Sequence, residues 1–193
     1  MIRLFVLLAV LVPGAALAHH PMGGAMPETL WQGFASGVGH PVIGFDHLAF
    51  IIGMAALALL TKAPRLMPLA FVGMTVVGTL LHLQAVTLPA AELVIAASVL
   101  LIGVLGLMGA KLPALVAAAL FGAAGVFHGY AYGEAVVGAE ASPIIAYLIG
   151  FAFVQIAIAW GLQLAAERSG RMAGWIKAGA GIAVGVGAMA VAG

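Results

Sequence analysis

The chain has 193 residues, of which 65% are hydrophobic and 7% charged, and its formal net charge is +1. A mean hydropathy of +1.24 is typical of a polytopic helical membrane protein and excludes an ordinary soluble domain. The small net charge offers no basic surface for nucleic acid. The absence of cysteine excludes disulfides, thiolate metal sites and cysteine nucleophiles.

The first 18 residues are typical of a cleaved export signal. Arg3 precedes an apolar stretch over 4–12, and the small-residue pattern of a cleavage site follows at 16–18. An uncleaved first membrane helix is the alternative, although the apolar stretch is shorter than the roughly 20 residues that span a bilayer. Cleavage after Ala18 would leave a single membrane domain, 19–193, with His19 as its first residue.

Six apolar segments follow, so the predicted fold is an all-α bundle with six transmembrane spans after removal of the signal peptide. Prolines 64, 89 and 143 lie at or near predicted helix starts, where a missing N–H costs little. A shorter helix over 28–38 is expected before the first span. The predicted spans are 45–60, 64–82, 89–108, 112–131, 143–164 and 172–191.

The distribution of charge predicts the orientation of these spans. Seven basic residues minus Arg3 leave six in the mature chain, and a periplasmic N-terminus puts five of them in or beside cytoplasmic loops, as the positive-inside rule requires. The protein is therefore expected to be a multi-pass membrane protein whose mature N-terminus lies outside the cytoplasm. All six histidines then fall on the periplasmic side, although solvated loops collect polar residues for other reasons too. The five basic residues are Lys62, Arg65, Lys111, Arg168 and Arg171.

The stretch HPVIGFDH, residues 40–47, interrupts this apolar pattern with Pro41 and Gly44. Because a residue before proline is biased away from the helical region, His40 is expected to be extended, with the helix restarting near Gly44. Asp46 and His47 would then occupy the first turn of the new helix. Transporters use such broken helices to bring side chains to an ion; the alternative is that Asp46 only caps the helix N-terminus.

A second polar cluster, FHGYAYGE over 127–134, closes the fourth predicted span on the same side, with His128 in the last turn and Glu134 just beyond. Imidazole and carboxylate together suit nickel, cobalt, zinc or oxidised copper, whereas magnesium and calcium prefer oxygen ligands alone.

His82 and Glu92 are less certain candidates that could complete a coordination shell or make a loop hydrogen bond. His19, with His20 beside it, could capture metal or belong to a disordered N-terminus.

These two motifs resemble a known family. HPVIGFDHLAF is similar to the HP-x-x-G-x-D-H signature of HupE/UreJ family permeases, and FHGYAYGEAVVGAE resembles that family's second block. The resemblance implies uptake of nickel, and in some branches cobalt, with His40, Asp46 and His47 as metal ligands and the second block contributing further candidates. Many relatives carry a second histidine where this chain has Tyr132, and their acidic residue falls one place after Glu134.

Taken together, these features predict a secondary transporter or permease that takes up nickel or cobalt through a His/Asp metal site open to the periplasm. No enzyme is expected, since HExxH and G-x-S-x-G motifs are both missing from the sequence. No tightly bound cofactor is expected; the divalent ion is cargo, the lipid bilayer is the other partner, and a homo-oligomer is left open. The alternative is a periplasm-facing metal receptor or chaperone, including one for copper, that transports nothing. Gly181 and Gly185 are expected to let helices approach closely.

Overall fold

The computed structural model describes residues 25–192, and this part of the chain is all-helical. The predicted signal peptide, His19 and His20 lie outside the described residues. A short 3-10 turn, Glu134–Val136, follows the fifth helix. The seven α-helices of residues 25–192 are α1 Leu30–Ile43, α2 Phe45–Ala58, α3 Met67–Leu83, α4 Ala91–Leu107, α5 Ala114–Gly133, α6 Ala141–Arg168 and α7 Met172–Ala192.

Each of the six predicted spans overlaps one of the helices α2 to α7, so the helical segments were predicted correctly to within a few residues. In the described part of the chain, three elements are long and apolar enough to cross a membrane: α5 with its 3-10 turn, α6 and α7. The pair α1 and α2, bent by 75°, adds a fourth crossing if the two count as one broken span. The helices α3 and α4 are apolar but shorter, with 17 residues each, so six crossings remain a prediction.

The predicted break in the first span occurs at Gly44, between α1 and α2. Gly44 has φ −71° and ψ 102°, and its N–H donates to the carbonyl of His40 at 3.1 Å. The expectation that His40 is extended was wrong, because α1 continues through Pro41 to Ile43. Packing outweighs the local bias here: α1 lies so close to α6 that a Cβ on Gly37 would collide with the Tyr147 carbonyl.

Glycine contacts pair the helices closely and show their direction. In α5, a Cβ on Gly125 would meet the carbonyl of Phe71 and one on Gly129 would meet the carbonyl of Thr75, so α3 and α5 run parallel in tight contact. Thr79 reinforces the pair by donating to the Gly129 carbonyl at 2.8 Å. The prediction for α7 was wrong, since Gly181 and Gly185 have no atom within 4 Å of an added Cβ; the close glycines there are Gly179 and Gly187.

One end of the bundle holds the loops over 59–66, 108–113 and 168–171, and it is tied together by polar contacts. Arg65 forms an ion pair with Glu167 of α6 at 2.6 Å. Trp160 donates to the Arg65 carbonyl at 3.1 Å, and Gln163 donates to the Pro64 carbonyl at 3.1 Å. The loops over 84–90 and 134–140 lie at the opposite end, where α1 and α6 begin and α5 ends. The motif histidines lie in that half of the bundle.

Candidate metal site

Three histidines from three helices meet in the interior and form what we call the imidazole cluster. His40 lies near the end of α1, His47 in the first turn of α2, and His128 in the second-to-last turn of α5. All three are buried, with exposed fractions of 1%, 1% and 0%. The Nδ1 atoms of His47 and His128 are 2.8 Å apart, and the ring centres of His40 and His47 are 5.7 Å apart. The broken helix therefore places both motif histidines beside the second block.

The hydrogen bonds around His128 determine which ring nitrogens carry protons. Ser98 of α4 donates its single hydroxyl proton to the Ile95 carbonyl at 2.7 Å, so its oxygen must accept from His128 Nε2 at 3.1 Å. A neutral His128 then has a lone pair on Nδ1, and His47 Nδ1 is the donor of the 2.8 Å bond. By the same reasoning, a neutral His47 carries its lone pair on Nε2 in this arrangement, and each imidazole keeps one nitrogen that can accept a proton or a metal ion.

Tyr147 of α6 orients His40 in the same way. Its hydroxyl donates to the Tyr132 carbonyl at 2.8 Å and lies 2.8 Å from His40 Nδ1. Since the hydroxyl proton is used on the carbonyl, His40 Nδ1–H is the donor and a neutral His40 has its lone pair on Nε2. Fixing the second ring nitrogen in this manner is the usual way in which proteins orient a metal-binding imidazole.

Asp46 is the most exposed acidic or imidazole group beside the cluster, with a side chain that is 16% exposed. One carboxylate oxygen accepts the His47 backbone N–H at 2.8 Å and lies 4.0 Å from His47 Nδ1. Asp46 also occupies the first turn of α2, where a negative charge is stabilised by the helix dipole. The capping and ligand interpretations are therefore compatible, because one oxygen serves the helix and the carboxylate remains beside the imidazoles.

Aromatic rings form the walls around the cluster. Tyr132 is fully buried and packs edge-on against His40 and His47, with ring centres 4.9 and 4.6 Å apart. Its hydroxyl has no hydrogen-bond partner among the described residues. On the other side, Phe50 lies 4.5 Å from the ring of His128. These aromatic rings therefore enclose the imidazoles among buried side chains.

The other predicted ligands within residues 25–192 are more exposed than the three imidazoles. His82 packs on Tyr130 with ring centres 4.4 Å apart, at the contact between α3 and α5. Glu92 is exposed in the first turn of α4, and Glu134 is exposed in the 3-10 turn. Within residues 25–192, no group of three or more His, Cys, Asp or Glu side chains is close enough to hold a metal ion in this conformation. The predicted ligand set therefore remains a prediction.

Sequence reasoning missed two residues that orient the cluster. Ser98 lies 30 positions before His128, and Tyr147 lies 107 positions after His40. Neither belongs to a motif, and the only signal was that each is a polar group in an apolar helix. Their relation to the histidines depends on how α4 and α6 pack, which the local sequence does not specify.

Comparison with known proteins agrees with the two motifs. Residues 7–191 match the family described as HupE / UreJ protein. The chain is 32% identical over 160 residues to the Protein HupE of Rhizobium leguminosarum bv. viciae, covering 81% of this chain and 83% of that protein. No solved structure matches. The family match over almost the whole chain, together with this identity, shows that the protein belongs to the HupE/UreJ family.

Proposed function

We propose that this protein is a permease that takes up a divalent transition metal ion, nickel or cobalt, across the bacterial inner membrane. The family is associated with nickel and cobalt transport, and its members are transporters or accessory proteins rather than enzymes. The observation that carries the proposal is the meeting of three buried imidazoles from α1, α2 and α5 beside the Asp46 carboxylate. Borderline divalent ions prefer this combination of donors.

The cluster needs only a small movement to accept an ion between two of its rings. Two metal–imidazole bonds of about 2.05 Å at a tetrahedral angle put the nitrogens roughly 3.3 Å apart. The Nδ1 atoms of His47 and His128 are 2.8 Å apart, so one ring must shift by about 0.5 Å. His47 must also change to the tautomer that carries its proton on Nε2, which frees the Nδ1 lone pair while the ring stays neutral. Asp46, 4.0 Å from His47 Nδ1, supplies an anionic oxygen on the same side, and His40 supplies the imidazole of the neighbouring helix.

The membrane arrangement that we propose has six crossings, with α1 and α2 together forming the first. Residues 1–18 act as a cleaved signal, 19–193 form one membrane domain, and the mature N-terminus is periplasmic. Support comes from the basic residues: Lys62, Arg65, Lys111 and Arg171 belong to loops at the end opposite the imidazole cluster. The cluster then lies in the periplasmic half, and Asp46, which is more exposed than the three imidazoles, would be the first group that an incoming ion meets.

The membrane potential is sufficient as a driving force. A doubly charged ion gains about 4.6 kcal/mol from an inward-negative potential of 100 mV, since each unit charge gains ~2.3 kcal/mol. That free energy corresponds to roughly a thousandfold accumulation or more, at 1.4 kcal/mol per factor of ten. Uptake is therefore expected to follow an imposed potential without any nucleotide.

The test is uptake by proteoliposomes that contain the mature protein, with nickel, cobalt, zinc and copper compared at a fixed inward-negative diffusion potential. His47→Asn keeps an N–H donor for His128 but removes the imidazole, and Asp46→Asn keeps the acceptor for the His47 N–H but removes the charge. Both variants should abolish uptake, while Glu140→Gln, an exposed acid at the same end, should not. Saturable metal binding without accumulation by the unmodified protein would refute transport and favour a receptor. Normal uptake by both site variants would refute the site.

A further inference from the structure

Two glutamines of α6 are buried between the imidazole cluster and the opposite end of the bundle. Gln155 and Gln163 are each 0% exposed. The side-chain oxygen of each has no hydrogen-bond partner among the described residues. Burying an amide oxygen without a partner is unfavourable, and polar groups inside a membrane domain mark substrate and ion pathways.

The hydrogen bonds of the two amide nitrogens fix the direction of the oxygens. Gln155 Nε2 lies 3.0 Å from the carbonyl of Phe151, and Gln163 Nε2 lies 3.4 Å and 3.1 Å from the carbonyls of Ala55 and Pro64. Carbonyl oxygens only accept, so the nitrogens must face them. In each glutamine, Oε1 therefore points away from the carbonyl that its own Nε2 contacts, and it remains inside the packed interior.

The glutamines continue a row that begins at the imidazole cluster. Every fourth residue of α6 from 147 to 163 is 0% exposed, and since each step of four residues turns by about 40°, this row winds around the helix as it descends. Tyr147 is hydrogen-bonded to His40, and Gln155 and Gln163 follow at intervals of eight residues, or about 12 Å along the helix. The row thus covers about 24 Å of a hydrocarbon layer that is ~30 Å thick. Its members are Tyr147, Phe151, Gln155, Ala159 and Gln163.

The amide of Gln155 contributes little to holding the helices together. Its amide nitrogen bonds to the carbonyl of Phe151, one turn earlier in the same helix, and so joins no second element. Gln163 differs, because it ties α6 to α2 and to the loop over 59–66. A purely structural account explains the position of Gln163 but not the buried amide of Gln155, where an apolar side chain of the same length would pack at lower cost.

We propose that Gln155 Oε1, and after it Gln163 Oε1, are the ligands that a divalent cation meets after it leaves the imidazole cluster, so that the path through the bundle follows α6. This inference rests on the proposed permease function. A neutral amide oxygen replaces one water of the ion's hydration shell and holds the ion weakly. Weak sites in series suit conduction, since an ion must be able to leave each one.

The first experiment measures binding and uptake on the same preparations. Gln155→Met keeps the length of the side chain and removes the amide; Gln84→Met, at an exposed glutamine just after α3, is the matched control. Gln155→Met should leave nickel binding by the purified protein unchanged but slow initial uptake by about tenfold or more, the loss that removal of one group brings in metal sites. Gln84→Met should leave both unchanged.

Each other outcome identifies what has failed. If the unmodified protein accumulates metal and Gln155→Met does so equally fast, the proposed ion path along α6 is refuted, whereas the proposed permease function is retained. If the unmodified protein binds metal but accumulates none, the permease and the path are both wrong. If Gln155→Met loses nickel binding together with uptake, Gln155 supports the imidazole cluster and is not a separate ligand farther along the path. That result also overturns the inference.

Thiol labelling tests the path without measuring transport. Because the chain has no cysteine, Gln155→Cys and Gln163→Cys each introduce a unique thiol. A membrane-impermeant thiol reagent should modify both, and nickel should slow the reaction. Phe153→Cys is the control, since Phe153 is 62% exposed on the outer surface of α6 and a thiol in lipid does not form the reactive thiolate. A thiol at 155 as inert as the one at 153 would overturn the proposed path.

Discussion

The hydrogen bond from His128 to Ser98 offers the sharpest test of how the cluster is oriented. Ser98→Ala removes the only described acceptor for the Nε2–H of His128, at 3.1 Å, without touching a proposed ligand. The ring then loses the contact that places its proton on Nε2, and the tautomer that accepts from His47 Nδ1 is no longer favoured. Proteins that lose such an orienting partner typically bind metal 10- to 100-fold more weakly, or by about 1.4 to 2.7 kcal/mol.

The assay is equilibrium binding of nickel by the purified protein in detergent, measured beside thermal unfolding of the metal-free form. A buried N–H without an acceptor costs about 1–3 kcal/mol, so the unfolding temperature should fall as well. Ser98→Thr keeps the hydroxyl and should retain most of the affinity. Ser142→Ala removes an exposed hydroxyl at the same end of the bundle and controls for the loss of a serine. Nickel affinity in Ser98→Ala equal to that of the unmodified protein would refute the proposed proton arrangement.

Two further predictions concern the packing of the bundle. Gly129→Ala should destabilise the protein by about 1–3 kcal/mol, since the new methyl collides with the Thr75 backbone; Gly73→Ala, with open space around it, should be neutral in the same unfolding measurement. Arg65→Ala and Glu167→Ala, alone and combined, should give a coupling energy below about 1 kcal/mol that shrinks with added salt, because both side chains are more than a third exposed. Equal destabilisation by the two glycine variants, or a large salt-independent coupling, would contradict these packing arguments.

The helices could be predicted from the sequence because hydropathy and proline positions act locally. The break at Gly44 and the placement of Asp46 and His47 in the first turn of α2 are also local features, and both were predicted correctly. The helical conformation of His40 was not, because it depends on the contact between Gly37 and α6. Local bias at a residue before proline is small compared with the packing of a whole helix.

The site was only partly predictable for the same reason. Two motifs of the right chemistry indicated His40, His47 and His128, and the structure brings these three together. Glu134 belongs to the second motif, and His82 and Glu92 lie at the same end of the bundle, but all three are more exposed than the buried histidines. The contacts of Ser98 and Tyr147 with the histidines could not be predicted, because a hydrogen bond between distant helices leaves no periodic signal in either one.

The stability of the bundle does not explain the imidazole cluster. The contact between His47 and His128 joins two groups that must both be desolvated, and a buried hydrogen bond of this kind returns little more than the cost of burying its partners. Apolar side chains of similar volume would fill the same space, as Phe50 and Phe71 do beside them. The hydrogen bonds to Ser98 and Tyr147 orient the rings and fix their protons, which packing alone would not require. Such orientation matters when a third partner has to bind between the rings, and a divalent cation is the partner whose chemistry fits neutral imidazoles beside one carboxylate.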